Sequence, residues 1–137
     1  GRKGWLMDDL LSNLDKEIVN RIHFTGFVDD DLLPYVYRNA QVFVFPSVYE
    51  GFGVPPIEAM SMGIPVISSD AASLPEVLGN AAYYFENRNL KDLKKQIVTV
   101  MNLPEEKIDM TKKAGVEQAQ LFSWKTEALK LRDTLFV

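Results

Sequence analysis

The chain has 137 residues, 47% hydrophobic and 25% charged, with 15 basic and 19 acidic side chains for a net charge of −4. That length and balance suit one globular domain, burying about two-thirds of the unfolded chain's surface, and argue against disorder. The absence of cysteine excludes disulfides, thiolate metal sites and a cysteine nucleophile and fits a reducing compartment; no Lys/Arg cluster could track a nucleic-acid backbone, and no apolar run reaches the ~20 residues of a membrane span.

In chain order, residues 5–19 place Leu6, Leu10, Leu14 and Ile18 every four positions, the spacing of an amphipathic helix. "RIHFTGF" (21–27) is β-branched and aromatic-rich and predicts a strand. "DDDLLPYVYRNA" (29–40) opens with acids and carries Pro34 early, as a helix start does. "QVFVFP" (41–46) is an apolar run suited to a strand buried on both faces. A loop and a helix over 55–62 follow, closed by Gly63 and Pro65. Residues 65–70 read as a second buried strand. Ser73 and Glu76 stand at capping-box spacing for a helix over 73–79. "AAYYF" (81–85) is a last short strand. From Leu90 onward the pattern is helical, broken at Pro104, with Ser123 as a further cap. Alternation of this kind predicts an α/β domain, a mainly parallel sheet with helices on both faces and a helical C-terminal end. No internal repeat or low-complexity segment occurs. The first residues, "GRKGW", carry neither an initiator methionine nor a secretory signal, so a fragment or a processed product is expected.

The stretch "PSVYEGFGVPPIEAM" (46–60) sets Glu50 and Glu58 eight positions apart around two glycines and two adjacent prolines. In an open parallel sheet, ligands bind outside the carboxyl ends of the strands, where this loop lies. Gly51 and Gly53 let backbone N–H groups approach a ligand closely. The helix that follows offers free N–H groups and a dipole that favour an anion, such as a diphosphate. An ionised carboxylate only accepts hydrogen bonds and so suits a vicinal diol. A nucleoside diphosphate sugar has a diol at each end and a diphosphate between. A glycine-proline loop also serves as a plain turn, and a first-turn glutamate as a dipole complement. From the residues alone, both readings stand.

"EGFGVPPIE" resembles the glutamate motif, E-x₇-E, of retaining GT-B glycosyltransferases, and in detail glycosyltransferase family 4. The resemblance extends from "FTGFVDDDLLPYVYRNA" through "SSLPEV" to "FSW", essentially the whole chain. It implies a Rossmann-like GT-B C-terminal domain, here residues 1–137, that binds the donor. It places Glu50 at the donor sugar and reaction centre as the catalytic residue. It places Glu58 on the ribose hydroxyls, the backbone of Gly51, Phe52, Gly53 and Val54 at the sugar and diphosphate, and Phe27, Val28 and Asp29 near the base. The implied reaction moves a hexose, mannose as a first guess, from a nucleoside diphosphate sugar to an acceptor hydroxyl in polysaccharide or glycoconjugate synthesis. It retains the anomeric configuration and uses no metal and no other cofactor. A single histidine cannot supply a metal cluster.

The acceptor, a saccharide or glycolipid, would be held by an N-terminal domain outside this sequence. The family's basic pair at the diphosphate would also precede Gly1, and Arg2 and Lys3 read better as a solvated loop. The isolated chain is therefore expected to be inactive. Its parent is expected in the cytoplasm, with peripheral association at the inner face of a membrane, and no nucleic-acid partner is expected. The rival reading is a non-catalytic α/β nucleotide-binding or interaction module. A related GT-B phosphorylase would need a cofactor lysine in a context that this sequence lacks. Among the remaining residues, His23 is expected to be a packed strand histidine. The Tyr35–Tyr37 and Tyr83–Tyr84 pairs are expected to serve packing. Ser68 and Ser69 lack a histidine to activate them.

Overall fold

The computed structural model describes residues 11–122. The chain divides into two compact units, with the boundary between Tyr35 and Val36.

In the first unit, residues 11 and 12 are helical, and the chain turns at 13–14 before α1 (Lys16–Val19). The helix expected over 5–19 is thus interrupted, and residues 5–10 lie outside the described part. The interruption covers 13–15 and includes Asn13 and Asp15, types whose side chains compete with helical backbone bonds. Residues 21–27 do not form the expected strand and join no ladder. Ile22, Phe24 and Phe27 are 36%, 44% and 80% exposed. Their composition favours a strand only where a paired neighbour and a packed face are supplied. This unit contains no strand among its described residues. His23, expected to be packed, is exposed for the same reason. The Asp29 carbonyl accepts the N–H groups of Leu32 and Leu33 at 2.9 and 3.0 Å. That turn leads into α2 (Leu33–Arg38), with Pro34 in its first turn, so the acids precede the helix instead of opening it.

The second unit continues with β1 (Phe43–Phe45), α3 (Val54–Ser61), β2 (Val66–Ser69), α4 (Leu74–Leu78), a 3-10 turn (Gly79–Ala81), β3 (Ala82–Phe85), α5 (Leu90–Met101) and α6 (Glu105–Gln120). The sheet is parallel in the order β1-β2-β3. Val44 pairs with Ile67, and Ile67 with Tyr83. Both connections within it are crossovers in the same direction, and the right-handed rule for such crossovers assigns α3 and α4 to one face. On the other face Ile67, Phe85 and Val100 form a core with Val44, Tyr83, Leu93 and Ile97 against it. This is the expected α/β architecture. All four residues of β2 are buried, as expected. β1 is only half-buried, against the expectation for 41–46, because it lies at the edge of the sheet and is covered less completely.

α3 ends in a Schellman turn. Ile64 N–H donates to Ala59 O at 3.0 Å and Gly63 N–H to Met60 O at 2.9 Å, with Gly63 at φ +71°. Pro65 follows, and its carbonyl accepts Phe43 N–H at 2.9 Å, tying the helix exit to the start of β1. α4 begins after Ser73, but the expected capping box is absent: the Ser73 side chain makes no cap bond. Pro75 stands where the second N–H of the helix would be, which removes one of the donors a cap would satisfy. α5 is capped by Asn89, whose Oδ1 accepts Asp92 N–H at 3.1 Å. Ser123 and the helix expected after it lie outside the described residues.

Candidate functional site

The loop leaving the carboxyl end of β1 is held through its carbonyl groups. The Ser69 hydroxyl, at the end of β2, donates a short hydrogen bond to the Ser47 carbonyl. Asn87, after β3, donates from Nδ2 to the Val48 carbonyl at 3.1 Å, while its own N–H donates to Asp70 Oδ1 at 2.8 Å. Ser73 Oγ shares its one proton between the carbonyls of Glu50 and Gly51, at 3.1 and 2.8 Å. The hydroxyl that sequence spacing assigned to a helix cap therefore serves the loop. Within the loop, Ser47 Oγ donates to Glu50 Oε1 at 2.9 Å and so orients the carboxylate assigned to the sugar end.

Gly53 precedes α3 at φ 83° and ψ 57°, a left-handed conformation that disfavours any side chain. A Cβ there would also fall 2.6 Å from Leu74 Cδ2. Gly51 differs: a Cβ would meet nothing within 4 Å. Phe52 packs edge-on against Phe122, ring centroids 5.2 Å apart, while Val54 is exposed at the first position of α3. Pro55 and Pro56 have no N–H. Of the first three helical residues only Val54 can donate, so the expected array of free helix N–H groups narrows to Val54 plus the loop amides. The prolines also take away part of the positive end of the dipole, since that charge sits on the unsatisfied N–H groups.

Glu58 sits one turn into α3, half-buried. Its Oε2 accepts the hydroxyl of Tyr37 at 3.2 Å. Burial, then the charge of Glu58 and the hydrogen bond to it, push the Tyr37 phenol up to about 12. Tyr37 is therefore neutral near pH 7 and a donor. It also packs against Phe43 with centroids 5.6 Å apart. Sequence reasoning assigned Tyr37 to packing alone. Its hydroxyl role joins residues 21 positions apart, and no local pattern signals it.

The structure thus sets Glu50, Gly51, Phe52, Gly53, Val54 and Glu58 on one continuous loop and helix start, supported by Tyr37, Ser69, Ser73 and Asn87. Phe27, Val28 and Asp29 belong to the first unit, where Phe27 is 80% exposed and the Asp29 carbonyl opens the turn before α2. Asp29 and Asp31 spell an Asp-x-Asp on that turn. Among the described residues no three His, Asp or Glu side chains gather as a metal site. No helix among them is long and apolar enough to cross a membrane.

The family model "Glycosyl transferases group 1" matches residues 8–116. The chain is 38% identical over 126 residues to O-antigen chain mannosyltransferase B of Escherichia coli, covering 90% of this chain and 32% of that protein. It is 36% identical over 105 residues to O-antigen chain mannosyltransferase RfbU of Salmonella typhimurium, covering 77% of this chain and 30% of that protein. Both matches span about a third of the relative's length. Among solved structures it is similar to the sucrose-phosphate synthase of Thermosynechococcus elongatus, with a TM-score of 0.84 and 28% identity over 95% of this chain and 33% of that one. The parallel sheet, the tethered glycine loop between two glutamates and the match over most of the length agree, and the chain belongs to the group 1 glycosyl transferases, of GT-B type.

Proposed function

We propose that these residues form the nucleotide-sugar-binding half of a retaining glycosyltransferase of family 4, acting on a nucleoside diphosphate hexose. The observation that carries this reading is the pair of oriented carboxylates, Glu50 held by Ser47 and Glu58 by Tyr37, at either end of a loop whose carbonyls are tethered. In this reading Glu58 accepts the ribose hydroxyls. The amides of Gly51, Phe52, Gly53 and Val54 receive the diphosphate and sugar, Glu50 faces the sugar, and Phe27, Val28 and Asp29 lie near the base. Mannose is the proposed hexose, supported by the similarity to the two O-antigen chain mannosyltransferases.

In the proposed reaction the bond from the anomeric carbon to the diphosphate oxygen breaks. A bond to the acceptor oxygen forms on the same face, and the leaving phosphate takes the acceptor's proton. No metal takes part in this scheme. Residues 1–137 act as the donor domain. A separate domain presents the acceptor saccharide or glycolipid, in the cytoplasm or at the inner face of a membrane.

The test is calorimetric titration of the 137-residue chain with GDP-mannose, UDP-glucose and ADP-glucose. Hydrogen bonds to a charged group are worth about 1.5–3 kcal/mol, so Glu58→Ala is expected to weaken the bound donor roughly 10- to 150-fold. The matching 2′,3′-dideoxy nucleotide is expected to bind both proteins equally weakly. A mutant that still prefers the ribonucleotide by the full wild-type margin refutes the role given to Glu58.

A further inference from the structure

Ser73 is bonded to two successive carbonyls, those of Glu50 and Gly51, at 3.1 and 2.8 Å. Peptide groups are planar, and in the trans form the C=O and N–H of one group point in opposite directions. The chain has no cis peptide bond among its described residues. Anchoring the carbonyls of Glu50 and Gly51 on one hydroxyl therefore turns the N–H groups of Gly51 and Phe52 the other way, away from Ser73. Neither N–H makes a hydrogen bond among the described residues. The space at Gly51 is open, since a Cβ there would touch nothing within 4 Å.

Both of these peptide groups flank Gly51, the residue type with the freest backbone torsions. Left untethered, either plane could flip. A flip replaces an N–H with a carbonyl oxygen, which repels an anion. Phe52 is fixed on the far side by its ring contact with Phe122, but that contact does not set the Glu50–Gly51 plane. Ser73 is the side chain that holds both planes.

We infer that Ser73 is a positioning residue for the donor phosphates: by anchoring the two carbonyls, its hydroxyl fixes the Gly51 and Phe52 N–H groups as donors on the side of the loop away from Ser73. The inference rests on the nucleotide-sugar reading of this site. A structural cap would act on α4; this hydroxyl acts on the loop 22 residues away, which separates the two roles experimentally.

The experiment compares ADP, UDP and GDP with their nucleosides by calorimetry on the wild-type chain and on Ser73→Ala and Ser73→Thr. For the nucleotide that binds, Ser73→Ala is expected to lower diphosphate affinity roughly 5- to 30-fold, the effect of losing well-placed donors to a charged group. Nucleoside affinity is expected to stay unchanged. Ser73→Thr keeps the hydroxyl and is expected to restore most of the loss. If Ser73→Ala keeps the full preference for diphosphate over nucleoside, the inference fails while the nucleotide reading stands. If the wild type binds none of the three diphosphates, the nucleotide reading fails and takes the inference with it. Should Ser73→Ala not fold, the wild-type amide resonances decide. Gly51 and Phe52 N–H are expected to shift downfield with the diphosphate and not with the nucleoside, and unmoved resonances overturn the inference.

Discussion

Gly53→Ala separates the loop's geometry from its chemistry. At φ 83° and ψ 57° an alanine carries the left-handed penalty, about 1–2 kcal/mol. Its Cβ would also fall 2.6 Å from Leu74 Cδ2. That methyl ends a flexible side chain, but Leu74 has 0% exposure and swings only into packed atoms. Overpacking of this kind costs about 1–3 kcal/mol. The sum is about 2–5 kcal/mol. At roughly 4 °C per kcal/mol for a domain of this size, the melting temperature is expected to fall by about 8–20 °C. Urea melts of the wild type, Gly53→Ala, Leu74→Ala and the double mutant resolve the two parts. In the Leu74→Ala background the clash is gone, and Gly53→Ala is expected to cost only the backbone part, about 1–2 kcal/mol. A Gly53→Ala protein that melts with the wild type refutes the backbone assignment. An unchanged penalty in the Leu74→Ala background refutes the clash.

Gly51→Ala, by contrast, meets open space and is expected to leave stability within about 0.5 kcal/mol while lowering donor affinity, because the new methyl occupies the ligand side of the loop; a normal affinity counts against that placement. The phenols of Tyr37 and Tyr84 are both raised to about 12. The stability they contribute is fully present below pH 10 and lost as pH rises toward 12. Ultraviolet titration should show these two tyrosines ionising late, and Glu58→Gln should bring Tyr37 only part of the way down, since burial is the larger cause. Full normalisation of Tyr37 in that mutant contradicts the ordering of causes. In a full-length parent, Glu50→Ala is expected to lower kcat far more than it weakens nucleoside diphosphate binding, because only interactions stronger in the transition state speed the chemistry. Glu50→Gln should recover part of the loss if hydrogen bonding is the role and little if charge is. Intact kcat with lost nucleotide binding would mean that the two glutamates have exchanged roles.

What could be read in the sequence was what depends on near neighbours. The α3 segment carries its own start and stop in Pro55, Pro56, Gly63 and Pro65, and it folded within a residue of expectation. β2 was expected as a buried strand, and its four residues are buried although two are serines, whose hydroxyls find carbonyl partners at Ser69 and Ser47. Residues 21–27 have strand composition, but composition cannot supply the neighbouring strand that a ladder needs. Ser73 shows the opposite failure. Its spacing to Glu76 fits a cap, yet its hydroxyl is engaged by carbonyls more than twenty positions upstream. The glutamates of the site were visible because their spacing is local. Tyr37, Ser69 and Asn87 were not, because each acts across 21 to 39 positions of chain.

The side chains that hold the loop, Ser69, Ser73 and Asn87, are all uncharged. Their bonds are therefore indifferent to ionic strength and to pH across the neutral range, whereas attraction to a diphosphate is screened by salt. On the proposed reading, the loop's shape and its pull on a diphosphate are thus governed by different variables. Raising the salt should weaken binding without loosening the loop. The loop is tethered by hydrogen bonds from the protein's own side chains, so the backbone entropy of about 1–2 kcal/mol per residue is expected to fall on folding more than on association. Heat measured on binding would then report contacts made with the ligand, with little contribution from rearrangement of the protein.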